Sequence, residues 1–238
     1  MTVSQWAWPM AAAGVLGAAG CATAVAPAAA PFCTASVSSF SDPEAGARGD
    51  YSPNVLFADL TFTSTSVGYG AAGGRSDEIT LANGVLHLAR PDGAGGHAER
   101  IGAAAGEGAY MLQVVSPRAW RPSVGVEGLA SLDDVGAAIA RAAVEAGCAG
   151  ETKLAYRIEG RIVAAEWSLD TLPQRGDFTT SNQTAVITGL YASVDQARHF
   201  VTPGRNIHAH IVFPGLGVAG HLKSVILAPR ARLMLQGG

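Results

Sequence analysis

The sequence predicts an α+β fold: a β-rich N-terminal part ending in one main helix, then a C-terminal mixed or antiparallel sheet bearing a histidine-rich hairpin. Three observations carry this. Charged residues are 15% of the chain and glycines number 30, a balance that favours strands and tight turns over long solvated helices. Runs rich in β-branched and aromatic residues recur, bounded by Gly, Pro or Asn-Gly. A single clear helical stretch, Ser131 to Gly147, has its start and stop signals in place.

Residues 1–45 read as a leader. Ala11 to Ala30 is alanine-rich and apolar, but Met1 to Met10 contains no Lys or Arg, so the positive end of an export signal is missing. Leu16-Gly-Ala-Ala-Gly-Cys21 has the form of a lipoprotein box, with Ala18 where Leu is usual, and would place a lipid anchor on Cys21. Ala22-Thr-Ala24 and Val25-Ala26 offer small-residue cleavage sites instead. Export is the expectation, whether periplasmic, lipid-anchored or secreted; the alternative is a disordered Ala/Pro-rich extension of a cytoplasmic chain. No run has the length and apolarity of a membrane span. Cys33 and Cys148 are free to pair in an oxidising compartment, although nothing in their spacing requires it.

Folded structure is expected from Tyr51, with an N-terminal subdomain over 51–150 and a C-terminal sheet over 151–238. Val55 to Thr63 has strand composition, and Ile79 to Leu88 reads as a hairpin turning at Asn83-Gly84. Ala109 to Val115 is a further strand, ended by Pro117. Ser131 then caps a helix, Asp134 reaches back as the third-position acid, and Gly147 stops it. Val135, Ile139, Ala142 and Ala143 form its buried stripe. Leu154 to Ile158, Arg161 to Ser168 and Ala185 to Ala192 continue as strands.

Three of the six histidines fall within fourteen residues near the C-terminus. His208 and His210 lie in Asn206-Ile-His-Ala-His-Ile-Val-Phe213, where alternation puts both imidazoles on one face. Pro214-Gly-Leu-Gly217 is a turn, so Gly220 to Ala228 returns as a second strand carrying His221. If His221 pairs with an even-numbered residue, all three imidazoles share a face. Such a trio with open coordination positions is how a catalytic zinc is held. The ordinary alternative is histidines satisfied by core hydrogen bonds. His87, His97 and His199 have no partner at ligand spacing and read as structural.

Several functions find no support. A net charge of -3 with a pI near 6.0 gives no electrostatic footprint for nucleic acid. Gly68–Gly74 and Gly93–Gly96 lack the strand, glycine pattern and helix start of a phosphate loop. No Ser or Cys lies in a nucleophile elbow.

Three segments together resemble the acetolactate decarboxylase family. Ten residues separate His210 from His221, which follows Ala219-Gly220, as in that family's H-x-H and third histidine. Ser193-Val-Asp-Gln-Ala and Pro203-Gly204 precede them. Gly68-Tyr-Gly70, then Glu78, then Asn83-Gly84 is similar to the family's G-x-G, acid and turn. Ala155-Tyr-Arg-Ile-Glu-Gly160 is similar to its A-x-R-I-D-G strand. The matches keep family order and cover roughly residues 55 to 228.

The resemblance implies decarboxylation of a branched 2-hydroxy-3-oxo acid, most simply 2-acetolactate to acetoin and CO2, by a homodimer. It implies Zn2+ or another divalent ion on His208, His210 and His221, with Glu78 beside it as ligand or proton relay and Arg157 gripping the substrate carboxylate. Such chemistry needs a Lewis acid where charge develops and a cation that orients the departing carboxylate. Departures are present. Ala71 stands where a hydroxyl residue is usual, Asp77 where Gly is usual, and Pro203-Gly204 is two residues farther from His208 than in the family. Family members also bring a second glutamate from a tail beyond the third histidine, whereas Arg230-Ala-Arg-Leu-Met-Leu-Gln-Gly-Gly has no acid. Two other readings stay open: an exported, non-catalytic metal-binding module of the same fold, and a cupin-like metal enzyme. The absence of Glu between Ile211 and Gly217 counts against the latter.

Overall fold

The structure, a computed structural model, describes residues 31–193 and 205–237. In chain order its elements are β1 (Ser38–Phe40), α1 (Pro43–Ala47), β2 (Val55–Leu56), β3 (Val67–Ala72), β4 (Glu78–Ala82), β5 (Val85–Pro91), β6 (His97–Ile101), β7 (Gly108–Val115), β8 (Ala119–Trp120) and β9 (Val124–Val126). There follow α2 (Leu132–Glu145), β10 (Lys153–Leu169), β11 (Gly176–Ser181), β12 (Thr184–Ala192), β13 (Ile207–Phe213), β14 (Val218–Leu227) and β15 (Ala231–Gly237). The expected α+β architecture is the one observed.

The first sheet runs β1-β7-β3-β4-β5-β6, with β2 also on β7. In the second, β10 is the spine. Strands β11 and β12 lie end to end along one edge of it, β14 and β15 along the other, and β13 bridges β12 to β14. Strands β10, β12, β13 and β14 thereby close on themselves like a barrel, which protects their edges. Helix α2 packs on β13, β14 and β15, so its Val135 and Ile139 share one apolar core with Tyr156, Trp167, Phe213 and Leu233. Strands β3 and β4 of the first sheet face β12, β13 and β14 of the second.

The end signals of α2 operate as read. Ser131 Oγ accepts from the Asp134 N–H, and the Asp134 carboxylate accepts from the Ala130 N–H and the Ser131 hydroxyl. Gly147, at φ 91, closes the helix in a Schellman turn: its N–H bonds Val144 O, and the Cys148 N–H bonds Ala143 O. Asn83 and Gly84 have φ of 54 and 75, the left-handed pair that a tight β4–β5 hairpin requires.

Four features differ from the sequence reading. Structure begins before Tyr51, because a Cys33–Cys148 disulfide ties the N-terminal segment to the end of α2, the Ala35 N–H bonds Lys153 O at 2.6 Å, and β1 pairs with β7. Val55 to Thr63 is not one strand: β2 ends at Leu56 and a 3-10 turn spans Phe57–Asp59. Alternation would have put Phe57 and Asp59 on one face; the turn instead buries Phe57 and leaves Asp59 exposed. The predicted break before Arg161 is absent from β10, since Gly160 is an approach point: a Cβ there would meet the Ala231 side chain at 2.9 Å. Strands β3, β6, β8, β9, β11 and β15 were not foreseen: β3 runs through the Gly68–Gly74 stretch read as lacking a strand, and Ala231, Leu233 and Leu235 of β15 are buried in alternation. No helix among the described residues is long and apolar enough to cross a membrane.

Candidate metal centre

The alternation of β13 sends Ile207, Ala209, Ile211 and Phe213 into the apolar core and turns His208 and His210 to the opposite face. The four-residue turn sets a register in which His210 is directly opposite His221, the even-numbered pairing required for a shared face. Ring centroids are 4.7 Å apart for His208 and His221, and 5.4 Å for each with His210. One nitrogen from each ring lies within 4.8 Å of the others.

The first sheet completes the site. Tyr69 of β3 and Thr80 of β4 are cross-strand neighbours, and they meet the histidines as a pair. The Tyr69 ring stacks on His208 at 3.8 Å and 13°, while Thr80 Oγ1 and His210 Nδ1 share a 2.7 Å hydrogen bond. That bond leaves His210 Nε2 directed at the cluster, with Glu78 Oε1 3.6 Å away. Asp170, just past β10, has Oδ2 3.5 Å from His221 Nδ1 and accepts from Arg175 Nε at 2.9 Å. Its backbone N–H donates to Glu78 Oε2 at 2.9 Å. Gly70 makes this wall possible, because a Cβ there would come within 1.9 Å of Met111 O on β7.

Burial sets the charges. It lowers His208 to about 3 and His210 well below the usual imidazole range, with the neighbouring imidazoles adding to both. Both rings are therefore neutral near pH 7, the form that binds metals. Glu78 is pushed up to about 8, chiefly by burial, against the pull of the Asp170 N–H. Asp170 is held well below the carboxylate range, first by His221 and also by Arg175. The donor set fits a zinc-type ion. Three imidazole nitrogens converge, and the far nitrogens of His210 and His221 face a hydroxyl and a carboxylate that fix ring orientation.

These shifts give the metal-free protein a defined pH response. His208, at about 3 in the fold and about 6.5 unfolded, takes up its proton only on unfolding across that window, so stability falls as pH drops through it. Glu78 acts oppositely: protonated in the fold up to about 8, it loses stability as pH rises from about 4.5 to 8, by up to roughly 1.4 kcal/mol per unit. In urea titrations with chelator, Glu78→Gln is expected to gain on wild type at about pH 9 and not at about pH 4. Equal differences at both would exclude a protonated Glu78.

A cavity of about 430 Å³ opens over the cluster, lined in addition by Tyr51, Arg75, Glu78, Tyr110, Met111 and Asp170. The four predicted residues Glu78, His208, His210 and His221 are thus brought together. Arg157 is placed differently. It pairs laterally with Thr188, which pairs with His210, so it shares that sheet face two strands away, but its guanidinium binds Glu159 and it does not line the cavity. Tyr69, Arg75, Thr80 and Asp170 were not singled out as site residues, although Thr80 follows Glu78 by two residues on one strand, the spacing of a shared face. His87 bonds Glu99 and His97 packs against Trp167 and Phe178. Cys21, His199, Pro203 and Gly204 lie outside the described residues.

Known structures share this architecture. An acetolactate decarboxylase from Bacillus subtilis subspecies spizizenii matches with a TM-score of 0.65 at 14% identity, over 84% of this chain and 85% of that one. The alpha-acetolactate decarboxylase of Bacillus subtilis strain 168 matches with a TM-score of 0.65 at 13% identity, over 85% and 86%. A Staphylococcus aureus protein of unknown function, described as similar to alpha-acetolactate decarboxylase, matches with a TM-score of 0.56 at 12% identity, over 74% and 79%. No protein-family model and no curated protein matches the chain. At these identities the likeness is one of fold: the chain has an acetolactate-decarboxylase-like fold.

Proposed function

We propose that the protein is a zinc-dependent carboxy-lyase acting on a branched 2-hydroxy-3-oxo acid, with 2-acetolactate converted to acetoin and CO2. The observation that carries this reading is the convergence of His208, His210 and His221 with Glu78 at one end of a substrate-sized cavity. The shared fold supports it.

Loss of CO2 breaks the bond between the carboxyl carbon and the carbinol carbon, and its electron pair passes toward the adjoining ketone oxygen. A zinc ion on the three imidazoles supplies the Lewis acidity this requires. Neutral imidazoles leave that ion's charge largely intact, and burial keeps His208 and His210 neutral. With no metal bound, burial raises Glu78 to about 8, so its carboxyl is protonated near pH 7. Its Oε2 accepts the Asp170 N–H, so Oε1, facing the cluster, is the atom that holds and delivers the proton to the product carbon. Asp170, ionised, keeps His221 oriented. Tyr69 packs against the imidazoles and limits water there.

Export and a homodimeric state belong to the same proposal; the Cys33–Cys148 disulfide supports the first. The deciding experiment is direct. Zinc-loaded protein given 2-acetolactate should release acetoin and CO2 in equal amounts, stop with chelator and resume with zinc. A zinc-bound protein that produces neither is the non-catalytic metal-binding module instead.

A further inference from the structure

We propose that Arg75, on the loop between β3 and β4, is the group that binds the ligand's carboxylate, so that the cavity selects small carboxylates through this loop and not through Arg157. The proposal shares with the function above only its premise that a small carboxylate enters the cavity.

Among the described residues lining the cavity, Arg75 is the one Arg or Lys. Its charge has no carboxylate partner within ion-pair distance in the described structure, whereas Arg157 and Arg232 bind Glu159, Arg175 binds Asp170, and Arg100 binds Asp77 and Glu107. A cation facing a cavity that contains Glu78 and Asp170, yet paired with neither, is left available for an incoming anion. Arg157 instead holds Glu159 on its Nη2 and does not line the cavity.

The Arg75 side chain is also held in place. Its Nη2 donates to the Asp170 carbonyl oxygen at 2.9 Å, and the guanidinium lies over the Tyr51 ring, 5.5 Å from its centre. Tyr51 is itself braced edge-on by Tyr110 at 5.1 Å. The backbone contributes as well: the Leu172 N–H bonds Arg75 O at 2.8 Å, fixing the residue at φ 54, a left-handed conformation uncommon for residues with a side chain. A carbonyl and a ring face orient the guanidinium without cancelling its charge, and most of its five N–H donors are left for a bidentate partner. Because Asp170 also reaches His221, one short segment sets the position of the carboxylate anchor relative to the imidazoles. Ordering the cation beforehand removes part of the entropic cost of gripping the anion.

The test uses the zinc-loaded full chain and two unreactive probes, 2-hydroxyisobutyrate and its neutral amide, titrated by calorimetry. Wild type should bind the acid more tightly than the amide. Arg75→Asn, a residue type that tolerates a positive φ, should weaken the acid roughly 10- to 100-fold and leave the amide and the zinc content unchanged. Arg157→Met should change neither. Should Arg75→Asn not fold, Arg75→Lys carries the test, with weaker acid binding and unaltered amide binding. The proposal is overturned if wild type does not prefer the acid, or if the preference survives Arg75→Asn, or is lost in Arg157→Met alone. A protein that keeps the Arg75-dependent preference but forms no acetoin sinks the decarboxylase reading and leaves this one standing.

Discussion

Replacement of His210 by Ala is expected to leave the purified protein without zinc and without turnover. His210 is the most buried of the three imidazoles, at 1% exposure, and it is the one cross-paired with His221 while two residues from His208 on the same strand. Its loss leaves two nitrogens, below the three protein ligands on which open catalytic zinc sites are built. It also removes the partner of Thr80 Oγ1, leaving a buried hydroxyl beside an apolar gap. Metal analysis after dialysis against a weak chelator should find about one zinc per wild-type chain and essentially none in His210→Ala. His87→Ala, whose imidazole is bonded to Glu99 outside the cluster, should retain the metal. Thr80→Val should fall between them, with affinity lowered roughly 10- to 100-fold because only the orienting bond is lost. Undiminished zinc in His210→Ala would remove the site altogether.

Local rules made the hairpin readable. In β13 the period of two, and between β13 and β14 a short turn, decide both the face and the register, so the convergence of His208, His210 and His221 needed no knowledge of the rest of the chain. The α2 caps and the Asn83-Gly84 turn were legible for the same reason, since each depends on residues within one turn of one another. What escaped depends on pairing across the fold. Gly160 has the composition of a break, yet it lies within a single strand because Ala231, far along the chain, packs against it. Strand β11 alternates between half-buried and exposed positions and has no apolar stripe to announce it. Asp170 and Arg75 reach the cavity only because the chain after β10 docks against the β3–β4 loop. Arg157 is the instructive case: it shares the histidine face by register, but a residue two positions on, Glu159, takes its guanidinium.

Glu78→Gln should lower turnover by roughly 10²- to 10⁴-fold while the protein keeps its fold and its substrate affinity. The residue is 7% exposed, and one oxygen is committed to the Asp170 N–H. A glutamine carbonyl can keep that bond, so the substitution changes the other end alone, exchanging a group that gives up a proton for an amide that does not. In the metal-free protein burial raises the wild-type residue to about 8, whereas Asp170, the other carboxylate in the cavity, is held ionised by His221 and Arg175. Glu78 is thus the carboxyl of the cavity placed to give a proton. Measuring zinc and turnover on the same samples separates its two candidate roles. Full zinc with a large loss of turnover identifies a proton donor, and lost zinc identifies a ligand. Unchanged turnover with unchanged zinc would mean that neither applies, and that the proton comes from outside the cluster.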